Sequence, residues 1–129
     1  MEEVRKQTYK NIEHIIVDGG STDGTVEMLT RLSEEQPGAF RWISEPDDGI
    51  YDAINKGLKL CTGDIIGTCF DHFADETVLA RMVEIMEREG TDGVHGDLCY
   101  MDGDRVVRKW HQGQGHIRSG WMPGHPTLY

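Results

Sequence analysis

Two rhythms of apolar residues alternate along this chain. Residues 12–17 (IEHIIV) form a short apolar run ending at Asp18-Gly19-Gly20, the pattern of a buried strand that enters a turn. Over residues 23–35, Val26, Leu29 and Leu32 fall on one helical face. Pro37-Gly38 breaks that helix, and residues 40–44 (FRWIS) predict a second strand. Ile50, Ala53, Ile54, Gly57, Leu58 and Cys61 then recur at helical spacing and predict an amphipathic helix. Gly63 stops it, and residues 64–70 (DIIGTCF) predict a third strand. Asp75 is placed to cap a further helix with a core face of Leu79, Met82, Val83 and Met86, ending near Gly90. Residues 94–100 and 105–110 flank Asp102-Gly103-Asp104, a hairpin signal. The last twenty residues, rich in Gly, His and Pro, read as loop.

Strands and helices alternating at this length predict an α/β fold, a mostly parallel sheet with flanking helices. No repeat, low-complexity tract or linker interrupts it, so residues 1–129 read as one domain. In such folds ligands bind beyond the carboxyl ends of the strands. That directs attention to residues 18–21, 44–49 and 70–75, all rich in Asp, Gly or Ser.

Charge sharpens the picture. A formal net charge of −10 argues against nucleic acid, which needs a basic footprint. A phosphorylated ligand would need a cation or backbone N–H groups to reverse the local sign. Acidity by itself also serves solubility. The opening residues carry no apolar signal core and no apolar run is long enough to span a bilayer, so the cytoplasm is the expected compartment. Cys61, Cys69 and Cys99 show no C-x-x-C spacing and indicate neither a zinc knuckle nor a disulfide framework.

Chemistry concentrates at the first strand end. Asp18 leaves a strand, Gly19 and Gly20 permit positive φ and close backbone approach, and Ser21 or Asp23 can cap the next helix. Such a turn can hold an anion or a ribose, or it can be a tight turn with a helix cap. There is no Gly-Lys-Ser/Thr and no Gly-x-Gly-x-x-Gly. A hydrolase using Asp18 as nucleophile is disfavoured because the Asp-x-Asp spacing is absent. Among the histidines, His95 in a predicted strand reads as a satisfied structural residue, and His111 and His116 as exposed loop residues.

The segment from Gln7 through Asp18-Gly19-Gly20-Ser21-Thr22-Asp23-Gly24-Thr25 resembles the signature of family 2 glycosyltransferases of the type that builds bacterial surface polysaccharides. The resemblance continues through Ser44-Glu45-Pro46-Asp47-Asp48-Gly49-Ile50-Tyr51-Asp52-Ala53-Ile54-Asn55-Lys56-Gly57, Thr62-Gly63-Asp64-Ile65-Ile66-Gly67, Gly96-Asp97 and Gly120-Trp121-Met122-Pro123-Gly124-His125-Pro126-Thr127. It implies a GT-A, Rossmann-like fold, incomplete here relative to the family. The implied activity moves a sugar from a nucleotide-diphosphate donor to a hydroxyl of a glycan or lipid-linked acceptor, with inversion. The alternative is a catalytically inactive nucleotide-binding module, or a fragment of such an enzyme.

By the same resemblance Asp18 would hold base and ribose, with Ser21, Asp23, Asp48, Asp52 and Lys56 beside the nucleotide. Lys56 could offer phosphate a point charge or lie on a solvated helix face. Asp71 with His72 would hold Mn²⁺ or Mg²⁺ against the diphosphate, and His125 would lie near the acceptor. The departures are specific. Gly19 stands where many members have a second Asp, His72 replaces an acid that hard cations prefer, and that loop is about two residues short. Nothing before Gln7 matches the family's first strand, and the family's general base falls beyond Tyr129. The reading is thus of a chain shortened at both ends, with a peripheral place at the inner face of the membrane and self-association through an unpaired sheet edge as further expectations.

Overall fold

The computed structural model describes residues 1–69, 72–113, 115, 117–124 and 127–129. The chain divides into two compact units, one of Asn11–Asp64 and the other of Met1–Lys10 with Ile65–Tyr129.

The first unit is a strand–helix–strand–helix module: β1 (Ile15–Asp18), α2 (Thr25–Glu35), β2 (Arg41–Ser44) and α3 (Ile50–Leu60). A short helix, α1 (Glu2–Lys6), precedes them in the chain and belongs to the other unit. The two strands pair in parallel, Ile15 opposite Arg41 and Asp18 opposite Ser44. This register brings both carboxyl ends out side by side. The helix between the strands supplies Leu29, only 2% exposed, as its core residue. Burying such a side chain contributes about 2 kcal/mol. Helix α3 packs on β1, with Gly57 close enough to Val17 that an added Cβ would lie 3.4 Å from the valine methyl. The amino-terminal side is tied by Glu13, whose carboxylate meets the Arg41 guanidinium at 2.6 Å and accepts the Thr62 N–H at 2.8 Å.

The predicted apolar stripe of α3 is only partly covered. Ala53, Ile54, Gly57 and Cys61 are half-buried, but Ile50 and Leu58 are exposed. A two-stranded sheet is too narrow to cover the whole face of an 11-residue helix.

In the second unit, α1 precedes a buried Gln7, 1% exposed. Its amide donates to the Asp75 carbonyl at 2.9 Å and accepts the Leu79 N–H at 3.1 Å, pinning the start of α4 (Val78–Glu89). Asp75 acts one step earlier than a cap, its Oδ1 accepting the N–H and hydroxyl of Thr77 at 2.7 and 2.6 Å. Leu79, Met82, Val83 and Met86 are half-buried, and the helix ends at Gly90 with φ 61°. The hairpin forms as predicted from its turn, with β3 (Leu98–Asp102) antiparallel to β4 (Arg105–Trp110). It starts four residues later than expected, residue 95 being held instead by an isolated bridge to Leu128.

The expected third strand is not found among the described residues of 64–70, and residue 70 lies outside them. Ile65 and Ile66 are exposed, so this short apolar run lacks the cover and ladder partner that make such a run a strand. The parallel sheet described is therefore one strand pair, with an antiparallel hairpin elsewhere. No helix among the described residues is long and apolar enough to cross a membrane.

Candidate functional site

Two loops leave the carboxyl ends of β1 and β2, and they meet. The ladder runs on beyond the strands, Glu45 N–H donating to the Asp18 carbonyl at 3.1 Å. Gly20 adopts φ 85°, a conformation other residues resist, and its α-carbon faces the Pro46 backbone.

Asp18 organises this junction. Its Oδ2 accepts the N–H groups of Gly20 and Ser21 at 3.1 and 2.9 Å and the Ser44 hydroxyl at 2.7 Å. Its Oδ1 accepts the Ser21 hydroxyl at 2.5 Å. The residue is only 8% exposed. The hydroxyls of Ser21 and Ser44, with the Ser21 N–H, hold its carboxyl at about 2, against an ordinary 3.8. Four donors leave this carboxylate little capacity for a ligand; what it fixes is the turn.

Asp23 lies just before the cap of the following helix, which is Gly24. Its Oδ1 accepts the hydroxyl and N–H of Thr25 at 2.7 and 3.1 Å, with Gly24 at φ 95° between them. Those two bonds hold its carboxyl below the ordinary carboxylate range.

The second loop is latched from α3. Lys56 donates to the Pro46 carbonyl at 2.6 Å and lies 3.3 Å from Glu45 and 3.2 Å from Asp52. Its side chain is 17% exposed, so it is neither a solvated lysine nor an uncommitted point charge. Burial opposes its charge, but Asp52 and Glu45 outweigh that and raise its pKa. Asp52 Oδ2 also accepts the Asp48 N–H at 3.2 Å, and that bond first, then Lys56, lowers the Asp52 pKa. Asp47 Oδ1 accepts the Gly49 N–H at 2.9 Å, shaping the entry to α3.

Asp18, Ser21 and Ser44 thus form one connected group, and Asp48 of the adjoining loop forms another with Asp52 and Lys56 of α3. Sequence reasoning singled out the stretch 44–49 but gave Ser44, Glu45 and Asp47 no individual role. The parallel register of Asp18 with Ser44 is the signal that finds the first.

His72 belongs to the other unit. Its side chain is 88% exposed, and its Nδ1 lies 4.0 Å from Glu3. Asp71 and His125 lie outside the described residues, as does His116. Among the described residues no three His, Cys, Asp or Glu side chains converge as a metal site would require. An exposed imidazole alone does not supply the oxygen-rich shell of Mn²⁺ or Mg²⁺, and its expected partner Asp71 lies outside the described residues.

Of the other described histidines, His95 departs from expectation and His111 is exposed as expected. His95 packs on Trp121 with ring centroids 5.2 Å apart, and its buried Nδ1 has no hydrogen-bond partner among the described residues. It is packed rather than satisfied. His111 is exposed, yet its Nδ1 pairs with Asp97 at 2.6 Å. The Asp97 carboxylate also accepts the Gln112 N–H at 3.0 Å, and Gln112 in turn bridges Gly96, Thr127 and Gly124.

A family model described as Glycosyl transferase family 2 matches residues 1–127. This chain belongs to that family. An uncharacterized glycosyltransferase of Mycobacterium tuberculosis is 41% identical over 90 residues, covering 67% of this chain and 33% of the relative. An uncharacterized glycosyltransferase of Nostoc sp. is 32% identical over 102 residues, covering 78% of this chain and 32% of the relative. A PGL/p-HBAD biosynthesis glycosyltransferase of Mycobacterium tuberculosis is 31% identical over 101 residues, covering 76% and 40%. The family 2 chain described here spans about a third of the length of the curated relatives it matches.

Proposed function

We propose that this protein takes part in transferring a sugar from a nucleotide-diphosphate donor to a hydroxyl of a glycan or lipid-linked acceptor in cell-surface polysaccharide synthesis. The observation that carries the reading is the junction of the two strand-end loops. Asp18, Asp23, Glu45, Asp47, Asp48 and Asp52 all lie on the two strand-end loops or at the helix starts that follow them, with Lys56 paired to Glu45 and Asp52. A surface of that sign favours hydrogen-bond donors, which a nucleoside supplies through its ribose hydroxyls and base N–H groups. Family membership supports the same reading, as does the relative named for PGL/p-HBAD biosynthesis, a biosynthetic role.

In this reading residues 1–129 form the nucleotide-sugar-binding part of a GT-A, Rossmann-like domain. Asp18 and Asp23 preorganise the turn, Ser21, Asp48 and Asp52 line it, and Lys56 holds the second loop where the phosphates enter. The acceptor oxygen attacks the anomeric carbon while the bond to the donor phosphate breaks, leaving the nucleoside diphosphate and inverting the sugar. His125 is proposed near the acceptor. The assignment of Asp71 and His72 to Mn²⁺ or Mg²⁺ rests on the resemblance alone, and no step is routed through it. A cytoplasmic place, at or near the inner face of the membrane, is proposed with it.

A second reading, nucleotide binding without transfer, is favoured by the exposed His72 where the family's acid is expected. Calorimetry with UDP, GDP, TDP and CDP, with and without Mn²⁺, on the native protein and on His72→Asp, tests both when run beside a donor-turnover assay. Binding with turnover supports the enzyme, and binding without it supports the second reading. Failure of every nucleotide to bind overturns both. Affinity indifferent to Mn²⁺ in both proteins removes the metal assignment.

A further inference from the structure

We infer that Asp47, from the second loop, supplies the carboxylate that recognises the nucleoside at the first strand-end turn, and that Gly19 is glycine to make room for it. The inference rests on the nucleotide-donor reading above and assigns a specificity residue within it.

The first observation is spatial. A Cβ built on Gly19 would lie 2.5 Å from Asp47 Oδ2 and 3.2 Å from Asp47 Cγ. Gly19 has no positive φ, so its backbone would accept any residue. What excludes a side chain there is the Asp47 carboxylate, which already fills the space. A carboxylate from residue 47 thus stands where one from residue 19 would.

The second observation concerns capacity. Asp18 accepts four hydrogen bonds from its own chain, at 3.1, 2.9 and 2.7 Å on Oδ2 and 2.5 Å on Oδ1, so both of its oxygens are engaged. Asp47 spends Oδ1 on the Gly49 N–H, whereas its Oδ2 has no donor among the described residues. Asp47 is half-buried, and its Oδ2 is held over the turn by that single Oδ1 bond and by the Lys56 latch on the neighbouring Pro46 carbonyl. An acceptor preorganised in this way binds a ribose hydroxyl or a base N–H without first losing freedom. Asp48 beside it is exposed and gives the network its backbone N–H.

The test is a set of titrations with the tightest-binding member of UDP, GDP, TDP and CDP. Asp47→Asn keeps the shape and the Gly49 bond but removes the charge, and affinity should fall about tenfold. Gly19→Ala should also weaken binding, because the flexible Asp47 side chain must swing away. In an Asp47→Gly background the same change should cost nothing further, the signature of coupling between the two positions. The exchange Gly19→Asp with Asp47→Gly should recover affinity relative to Asp47→Gly alone, returning a carboxylate to the same space from the other side. Unchanged affinity in Asp47→Asn, with the native protein binding normally, overturns the inference while leaving the donor reading intact. Additive losses for Gly19→Ala and Asp47→Gly also overturn it. A native protein that binds none of the four overturns both.

Discussion

Asp18→Asn offers the sharpest check on the site's architecture, because the native carboxylate carries four donors in a defined geometry. An asparagine can place its carbonyl where Oδ2 now accepts the Gly20 and Ser21 N–H groups and the Ser44 hydroxyl. Its NH₂ can then donate to the Ser21 hydroxyl oxygen once that hydroxyl rotates. Shape is preserved, and only charge is lost. The native carboxyl titrates at about 2 in the folded state and at the ordinary 3.8 when unfolded. A depressed folded pKa means that the unfolded chain binds more protons, so stability rises with pH in this window. The contribution is fully present above the unfolded pKa and is lost as pH falls through the folded one. At pH ~3 the unfolded carboxyl is roughly nine-tenths protonated and the folded one about one-tenth, a difference of about 0.8 proton. Urea denaturation followed through Trp42 in β2 should therefore show a native midpoint that falls between pH ~4 and ~2 more steeply than that of Asp18→Asn. Above pH ~5 the two proteins should run parallel. Carboxyls lowered by causes other than Asp18, such as Asp52 and Asp75, contribute equally to both proteins and cancel in the difference. Identical pH dependence in native and mutant would refute the network as described. Asp18→Ala, which strips all four donors of their acceptor, should be less stable than Asp18→Asn throughout.

Three further outcomes follow from other parts of the structure. Gln7→Leu removes the amide that serves the Asp75 carbonyl and the Leu79 N–H, and should destabilise the protein by about 2–4 kcal/mol in denaturant titration; a loss within experimental error of zero would show those groups are not held by Gln7. Lys56→Met should speed hydrogen exchange at the Asp48 and Gly49 amides and weaken UDP more than uridine; equal effects on both ligands would leave Lys56 a latch alone. Each strand of the β1–β2 pair has one unpaired side among the described residues, and we expect concentration-dependent dimerisation, which sedimentation showing a monomer at high concentration would exclude.

The fold was legible where local signals and packing agree. Val26, Leu29 and Leu32 mark the inner face of α2 because a helix can bury only one stripe, and Leu29 is the residue it buries most deeply. Gly90 and the Asp102-Gly103-Asp104 turn are equally local, since they depend on backbone conformations that few residues adopt. Residues 64–69 were not legible. Whether Ile65 and Ile66 form a strand depends on a neighbouring ladder, which the run itself cannot encode. The helix Glu2–Lys6 was also overlooked, being too short to show a period.

The site shows the same division, with a consequence for charge. Asp18, Asp23 and Lys56 could be picked from their motifs, but not the use each makes of its polar atoms. A count of 23 acids against 13 bases suggests a surface that repels every anion. At the strand-end junction much of that charge is already committed. Asp18 is spent on two N–H groups and two hydroxyls, Asp23 on Thr25, and Asp52 on Lys56 and the Asp48 amide. Lys56 is likewise spent, on Pro46, Glu45 and Asp52. A carboxylate that accepts its full complement of local donors has its charge dispersed over them and offers a ligand little. Recognition then falls to the acceptor left uncommitted and held in place. The position of Asp47 Oδ2 against Gly19 is therefore more informative about the ligand than the net charge is.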